Sequence, residues 1–125
     1  MNLKRLAIIG VTTLIAFLIF FAFSLRGIYN GVKTICDEYR GRFGGESCAQ
    51  SLMSSINSIE TSIKEKNDAL WALSQLGQEE SLPFLYELEE RENCGLDECI
   101  SDIMLNRAIR FSEGWTLTKW MYKNL

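Results

Sequence analysis

Residues 6–25 read LAIIGVTTLIAFLIFFAFSL, 20 positions without a charged side chain. As a helix the run is about 30 Å long, the thickness of a bilayer's hydrocarbon core. Its polar side chains are Thr12, Thr13 and Ser24, whose hydroxyls can bond to carbonyls of their own helix. Gly10 is tolerated in a membrane helix. A cleaved secretory signal has a shorter apolar core, about 7–15 residues, closed by a small-x-small site. Ala22-Phe23-Ser24 is a weak version of that site. A soluble core helix is rarely apolar over about five turns. Run length therefore favours an uncleaved single-pass anchor over either rival. Lys4, Arg5 and the amino terminus precede the run, and Arg26 and Lys33 follow it. That slight cationic excess puts the N-terminus in the cytoplasm. The expected plan is a cytoplasmic N-terminus, anchor and juxtamembrane segment in 1–33, then an exported domain in 34–125. In a bacterium this is an inner (plasma) membrane protein whose C-terminal domain is periplasmic or extracellular.

The full chain has 16 acidic and 13 basic residues, a formal charge of -3, and no histidine. Setting aside residues 1–25 removes only Lys4 and Arg5, so the remainder carries 11 basic and 16 acidic residues, a net of -5. Such a domain is a poor nucleic-acid binder, because phosphate affinity needs a cationic surface. The missing histidine excludes imidazole acid–base catalysis, Ser/Cys–His triads and His-ligated metals. No pair of carboxylates stands in a glycosidase or calcium pattern, and no phosphate loop or nucleophile elbow is present. The sequence predicts no catalytic, cofactor or metal site, and hence no enzyme.

Cys36, Cys48, Cys94 and Cys99 all follow the apolar run. An even number on one side of a membrane suggests disulfides in an oxidising compartment. Three connectivities are open, and proximity favours Cys36–Cys48 with Cys94–Cys99. Zinc and a redox-active pair are the rivals. Zinc sites usually repeat a tight Cys-x(2–4)-Cys knuckle, and a redox pair wants Cys-x-x-Cys. The gaps here are 11 and 4, so only one half comes close to the zinc spacing and neither is Cys-x-x-Cys, and structural bridges are expected.

The exported part reads as helices throughout. Residues 32–40 either extend the anchor helix or form a short one, and Gly41-Arg42-Phe43-Gly44-Gly45 breaks the chain. Ser47 and Gln50 form a capping-box pattern opening a helix with Ala49, Leu52, Ile56, Ile59 and Ile63 on one face and Ser54, Ser55, Ser58 and Glu60 outside. Asn67 or Asp68 then caps a third helix over 69–76, apolar on nearly every side and therefore sandwiched. Gly77 ends it. Pro83 sits in the first turn of the next helix, whose Leu82, Leu85 and Leu88 share a face running to about Glu92. Cys94-Gly95 turns, and Asp97 caps a fifth helix with Ile100, Ile103, Met104, Ala108 and Phe111 inward, closed by Gly114. Trp115, Leu117, Trp120 and Met121 mark a short final helix or turn. No strand-length alternation occurs, so the fold class is all-α.

The stretch KNDALWALSQLGQEESLPFL has the pattern of a HEAT-like repeat: a buried Ala/Leu helix ending in Leu-Gly, an acidic link, and Leu-Pro opening the next helix. With Cys36, Phe43-Gly44-Gly45, Trp71 to Gly77, Ser81-Leu82-Pro83, Cys94 and the aromatic segment from Gly114 to Tyr122, residues 36–122 resemble a family of small bacterial membrane-anchored HEAT-like repeat proteins. Ser74 and Ser81 stand where that family has Gly and Ala, and Trp115 where it has Asn. The resemblance implies an N-terminal transmembrane helix followed by a small HEAT-like α-solenoid of about five short helices, and it brings no catalytic residues.

Glu79 to Asp102 contains nine acidic residues and one base, Arg91. Glu79, Glu80, Glu87, Glu89, Glu90 and Glu92 are either a solvated face or a docking patch for a basic partner. Trp115 and Trp120 belong at a partner surface, at the membrane interface, or over the end of the helical stack. Trp71, on an all-apolar helix, is expected in the core. The expected function is a membrane-tethered protein–protein interaction module, an adaptor or accessory subunit whose partners are the bilayer and another exported or membrane protein. The alternative is a small lytic or stress regulator of antiholin type, which shares only the architecture.

Overall fold

The computed structural model describes residues 2–91, 99–115 and 119–125, with the backbone alone at Trp115. Among these residues every regular element is helical. The helices are α1 (Leu3–Phe43), α2 (Cys48–Asn57), α3 (Ile63–Leu76), α4 (Leu82–Arg91) and α5 (Asp102–Arg110). Short turns of 3₁₀ helix occupy Glu79–Ser81 and Lys119–Tyr122, and a wider turn spans Phe111–Trp115. The chain divides into two compact units, Met1–Asn30 and Gly31–Leu125.

In the first unit α1 is long and apolar enough to cross a membrane. Residues 2–24 are all exposed, including Phe17, Phe20 and Phe23. The polar groups are satisfied within the helix: Thr12 donates to the Ile8 and Ile9 carbonyls at 3.0 Å, Thr13 to Ile9 at 2.8 Å, and Ser24 to Phe20 at 3.0 Å. A helix surface apolar all round and uncovered is what lipid solvates and water does not.

In the second unit α1 continues without interruption to Phe43, one turn further than the Gly41 break predicts. Side-chain contacts hold that extra turn. Phe43 stacks on Tyr39 with ring centroids 6.0 Å apart, and Arg42 lies over both rings. The break comes at Gly44 and Gly45, both with positive φ. Val32, Cys36 and Tyr39 form a buried stripe at helical spacing.

Ser47 caps α2 as predicted, accepting from the Gln50 N–H at 3.3 Å. The Gln50 side chain, however, accepts from the N–H of Glu46 and not from that of Ser47. The predicted α2 face fails beyond Ile56. The helix ends at Asn57, Ser58 is extended, and Ile59 is 98% exposed. Ser55, expected outside, is buried beside Leu52 and Ile56. The cause lies in Ser62 and Glu65, which form a reciprocal capping box that starts α3 at Ile63. Asn67 and Asp68 are therefore interior to α3 and cap nothing. The Asn67 side chain instead accepts from the Ser101 N–H at 2.9 Å, across to α5.

The end of α3 follows the sequence closely. Ala69, Leu70, Ala72, Leu73 and Leu76 are buried, and Gly77 closes the helix in the left-handed conformation, φ 57° and ψ 39°. Trp71 is half-buried, its six-membered ring lying against Gly31 of α1. Gly31 faces Trp71 and the Tyr39 hydroxyl donates to the Glu65 carbonyl at 3.1 Å. These pairings make residues 31–43 of α1 antiparallel to α3. α3 packs on α2 and α5, and α5 also on α4.

Pro83 stands in the first turn of α4 as predicted, and Leu85 and Leu88 turn inward. The expected cap Asp97 and the Cys94-Gly95 turn lie outside the described residues. The described fifth helix starts at Asp102, capped by Ser101. Its buried face is Leu105, Ala108 and Ile109, and Ile103, expected inward, is 76% exposed.

The fold predicts opposite outcomes at two glycines. Gly31→Ala adds a methyl at 3.5 Å from Trp71, an ordinary contact, and should stabilise by about 0.5–1 kcal/mol through helix propensity. Gly45→Ala places its methyl 2.8 Å from the Ser51 hydroxyl at φ +116° and should cost about 1–3 kcal/mol. Thermal melts of the full chain in detergent micelles by circular dichroism check both, and shifts of the same sign would refute this packing.

Candidate interaction surface

Leu85 and Leu88 bury one side of α4, so Glu87, Glu89 and Glu90 project outward, all exposed. Glu79 and Glu80, in the turn before α4, are exposed as well. Of the predicted acidic set, Glu92 lies outside the described residues. Two of the remaining five are partly neutralised. Glu79 meets Lys119 at 3.4 Å and Glu87 meets Arg91 at 3.7 Å. Arg91 also donates to the Asn57 side chain at 3.0 Å, fastening α4 to the end of α2. Among the described residues no ion pair reaches Glu80, Glu89 or Glu90. Trp120 is 72% exposed and lies beside Lys119 in the last 3₁₀ turn. The Lys119–Glu79 pair thus joins the aromatic segment to the acidic one. The Trp115 side chain is not described.

Sequence reasoning missed a second polar cluster. Arg42 donates to the Glu65 carboxylate at 2.8 Å and lies 4.0 Å from Glu38. Glu65 also accepts from the Ser62 N–H at 2.9 Å and hydroxyl at 2.8 Å. The Arg42 bond first, and the two Ser62 donors after it, hold the Glu65 carboxyl down at about 2. Burial first, and the surrounding carboxylates after it, push the Tyr39 phenol up. A further tie joins Tyr86 to Glu113, the phenol donating at 2.6 Å, and that bond raises the Tyr86 pKa. Ser62-x-x-Glu65 was the readable signal for the first cluster. Tyr86 and Glu113 carry no sequence signal, being 27 positions apart.

Cys36 and Cys48 form a disulfide with Cα atoms 5.2 Å apart, the pairing that proximity favoured. Cys99 is also disulfide-bonded, and Cys94 lies outside the described residues. Among the described residues no group of three metal-ligating side chains comes together. What the arrangement offers is a surface: an outward acidic helix, an exposed tryptophan beside it, and rigid support behind both.

No family model, curated protein or solved structure matches this chain.

The Arg42–Glu65 pair sets an acid dependence. A carboxyl depressed from 4.5 to about 2 contributes stability that is complete above about pH 4.5 and is lost as pH falls through 2. Glu65→Gln should flatten the acid limb of the stability curve in that window and leave the limb above pH 5 parallel to the parent. Melts of residues 31–125 from pH 7 to pH 2 measure it.

Proposed function

We propose that this chain is a membrane-tethered protein–protein interaction module without catalytic activity, an adaptor or accessory subunit. In this reading the apolar part of α1 stays in a bacterial inner membrane with its N-terminus in the cytoplasm. The unit Gly31–Leu125 works outside as a pair of HEAT-like helix hairpins. The partner is another exported or membrane protein with a basic surface.

One observation carries the reading. Apolar side chains are exposed along residues 6–24, while the rest of the chain is a disulfide-stapled helical unit whose α4 face holds unpaired carboxylates. The first feature calls for lipid, the bridge for an oxidising compartment, and the third for a cationic counterpart. The helix order supports the HEAT-like part: α3 ends at Gly77, an acidic turn follows, and α4 opens with Leu82-Pro83. Two helix pairs fall short of the three or more repeats that stacks usually need. The bridges and the aromatic final segment offset that shortfall.

Protease added to intact spheroplasts should digest residues 31–125 and spare the anchor, and protection of Trp71-containing peptides that become cleavable on lysis would reverse the topology. For the surface, a photo-crosslinker at the exposed Glu80, in the turn before α4, should capture a discrete partner from the membrane. Glu89→Lys with Glu90→Lys should weaken that capture several-fold while stability moves by less than about 0.5 kcal/mol, as for solvated surface changes.

A further inference from the structure

Two helices of the unit Gly31–Leu125 carry outward stripes of opposite charge. On α4 the buried side is set by Leu85 and Leu88. At about 100° per residue, Pro83, Glu87 and Glu90 fall on the opposite side, within about 60° of one another. All three are exposed. On α5 the buried side is Leu105, Ala108 and Ile109. Ile103, Arg107 and Arg110 fall opposite it, again within about 60°. They are exposed too, Ile103 at 76%. Both stripes repeat the same intervals: an apolar residue, then charges four and seven positions on.

The fold leaves these charges available. Among the described residues no ion pair or hydrogen bond reaches the Arg107 or Arg110 side chain. Glu113, one turn on from Arg110, accepts from the Tyr86 phenol. Glu90 has no ion pair among the described residues. Glu87 has the exposed contact with Arg91 at 3.7 Å, which is worth little in water. α4 and α5 are neighbours, yet within one copy their stripes form no ion pair with each other. Like charges side by side on each helix are relieved by a helix face of the opposite sign.

We propose that a second copy of this chain covers the acidic face: α5 of one copy docks on α4 of the next. Laid side by side in the same direction, the stripes put Ile103 against Pro83, and Arg107 and Arg110 against Glu87 and Glu90. Guanidinium groups suit this contact, because their fork matches a carboxylate. The two faces differ, so the contact is head-to-tail and each docked copy still offers one free face. Surface ion pairs are individually weak, but anchors in one membrane raise the effective concentration of the copies for each other. This inference rests on the reading of α1 as an anchor and of α4 as a docking face, and it names the occupant of that face.

The test uses the full chain reconstituted at low density in phosphatidylcholine vesicles, with donor and acceptor dyes at the N-terminal end of separate batches. The parent should show energy transfer above the level of random encounters, and should lose it in about 0.5 M salt, where screening is short-ranged. Arg107→Glu with Arg110→Glu makes both stripes acidic, and Glu87→Arg with Glu90→Arg makes both basic. Each variant alone should lose the excess transfer about fivefold or more. Mixed with each other they should regain it, since each then meets its opposite on both faces, and that recovery also shows that both are folded. Parental transfer in either variant alone places the association in the anchor and overturns the proposal. So does a parent at the random level, or a mixture of folded variants no better than its components. Should a reversal variant not fold, Arg107→Gln with Arg110→Gln removes the charges alone, and unchanged transfer in it overturns the proposal. The photo-crosslinker at Glu80 separates this inference from the adaptor reading. An adduct of two copies supports self-association. Capture of a different protein, with vesicle transfer at the random level, overturns self-association and leaves the adaptor reading standing.

Discussion

The unit Gly31–Leu125 is organised around three turns of α1. Val32, Cys36 and Tyr39 recur at the spacing of one helix face, and all three are buried. Each makes a different kind of contact. Cys36 is bonded covalently to the first residue of α2, and the Tyr39 hydroxyl reaches the Glu65 carbonyl of α3. Val32 contributes burial. A bridge across a loop this short stabilises by about 3 kcal/mol in the chain-entropy model, a large part of the 5–15 kcal/mol that an average small domain possesses. Without that stripe the α2–α3 pair would lose one wall of its core, since α1 meets α3 through long side chains, Trp71 and Tyr39, across a helix face that carries Gly31.

The interior behind that wall is made of small residues as much as large ones. Ala49, Ser51 and Ser55 on α2 and Ala69, Ala72 and Ser74 on α3 are all buried. Small side chains let helix axes approach closely, and the leucines between them, Leu52, Leu70 and Leu73, fill the remaining space. Serines in such an interface need partners. Ser51 donates to the carbonyls of Ser47 and Gly44, and Ser74 to that of Trp71 at 2.6 Å. The Ser74 bond falls within its own helix, so its hydroxyl needs no partner from a neighbouring helix.

Much of this was legible in the sequence, for reasons that differ element by element. The uncharged run, the Ser47 cap, the Gly77 stop and the Pro83 start are local signals, fixed by backbone chemistry within four residues, and the structure keeps them. The misreadings arose where two local signals competed. Ile59 and Ile63 continue the α2 periodicity, but Ser62 and Glu65 satisfy two helix-end donors at once, and that gain ends α2 early. Asn67 looked like a cap, yet its side chain serves Ser101 across the core. Ile103 fits an apolar stripe with Ile100, but Ile100 lies before the helix, which starts at Asp102, and within the helix Ala108 shares its buried face with Leu105 and Ile109. Of the candidate surface, the acidic face of α4 could be read directly, because Leu85 and Leu88 alone define its orientation. The burial of Tyr122 and the bond from the Cys48 N–H to Leu125 could not, because they depend on contacts between distant parts of the chain, for which a single sequence carries no signal.

Glutamate has two distinct roles in this fold, and geometry separates them. Glu65 accepts three hydrogen bonds, one from a guanidinium that is itself stacked on Tyr39 and Phe43. Its charge is fixed in place, and its depressed pKa records that. Among the described residues no ion pair reaches Glu80, Glu89 or Glu90, and all three are exposed. Their charges cost the folded state a little by mutual repulsion and contribute no cohesion. In 0.15 M salt such charges are felt over about 8 Å, so a partner would sense them before contact. Charges of this kind alter association rates and their salt dependence more than the lifetime of a complex. Lasting contact would fall to the apolar groups at the same edge, of which Trp120, held near α4 by the Lys119–Glu79 pair, is the largest exposed one.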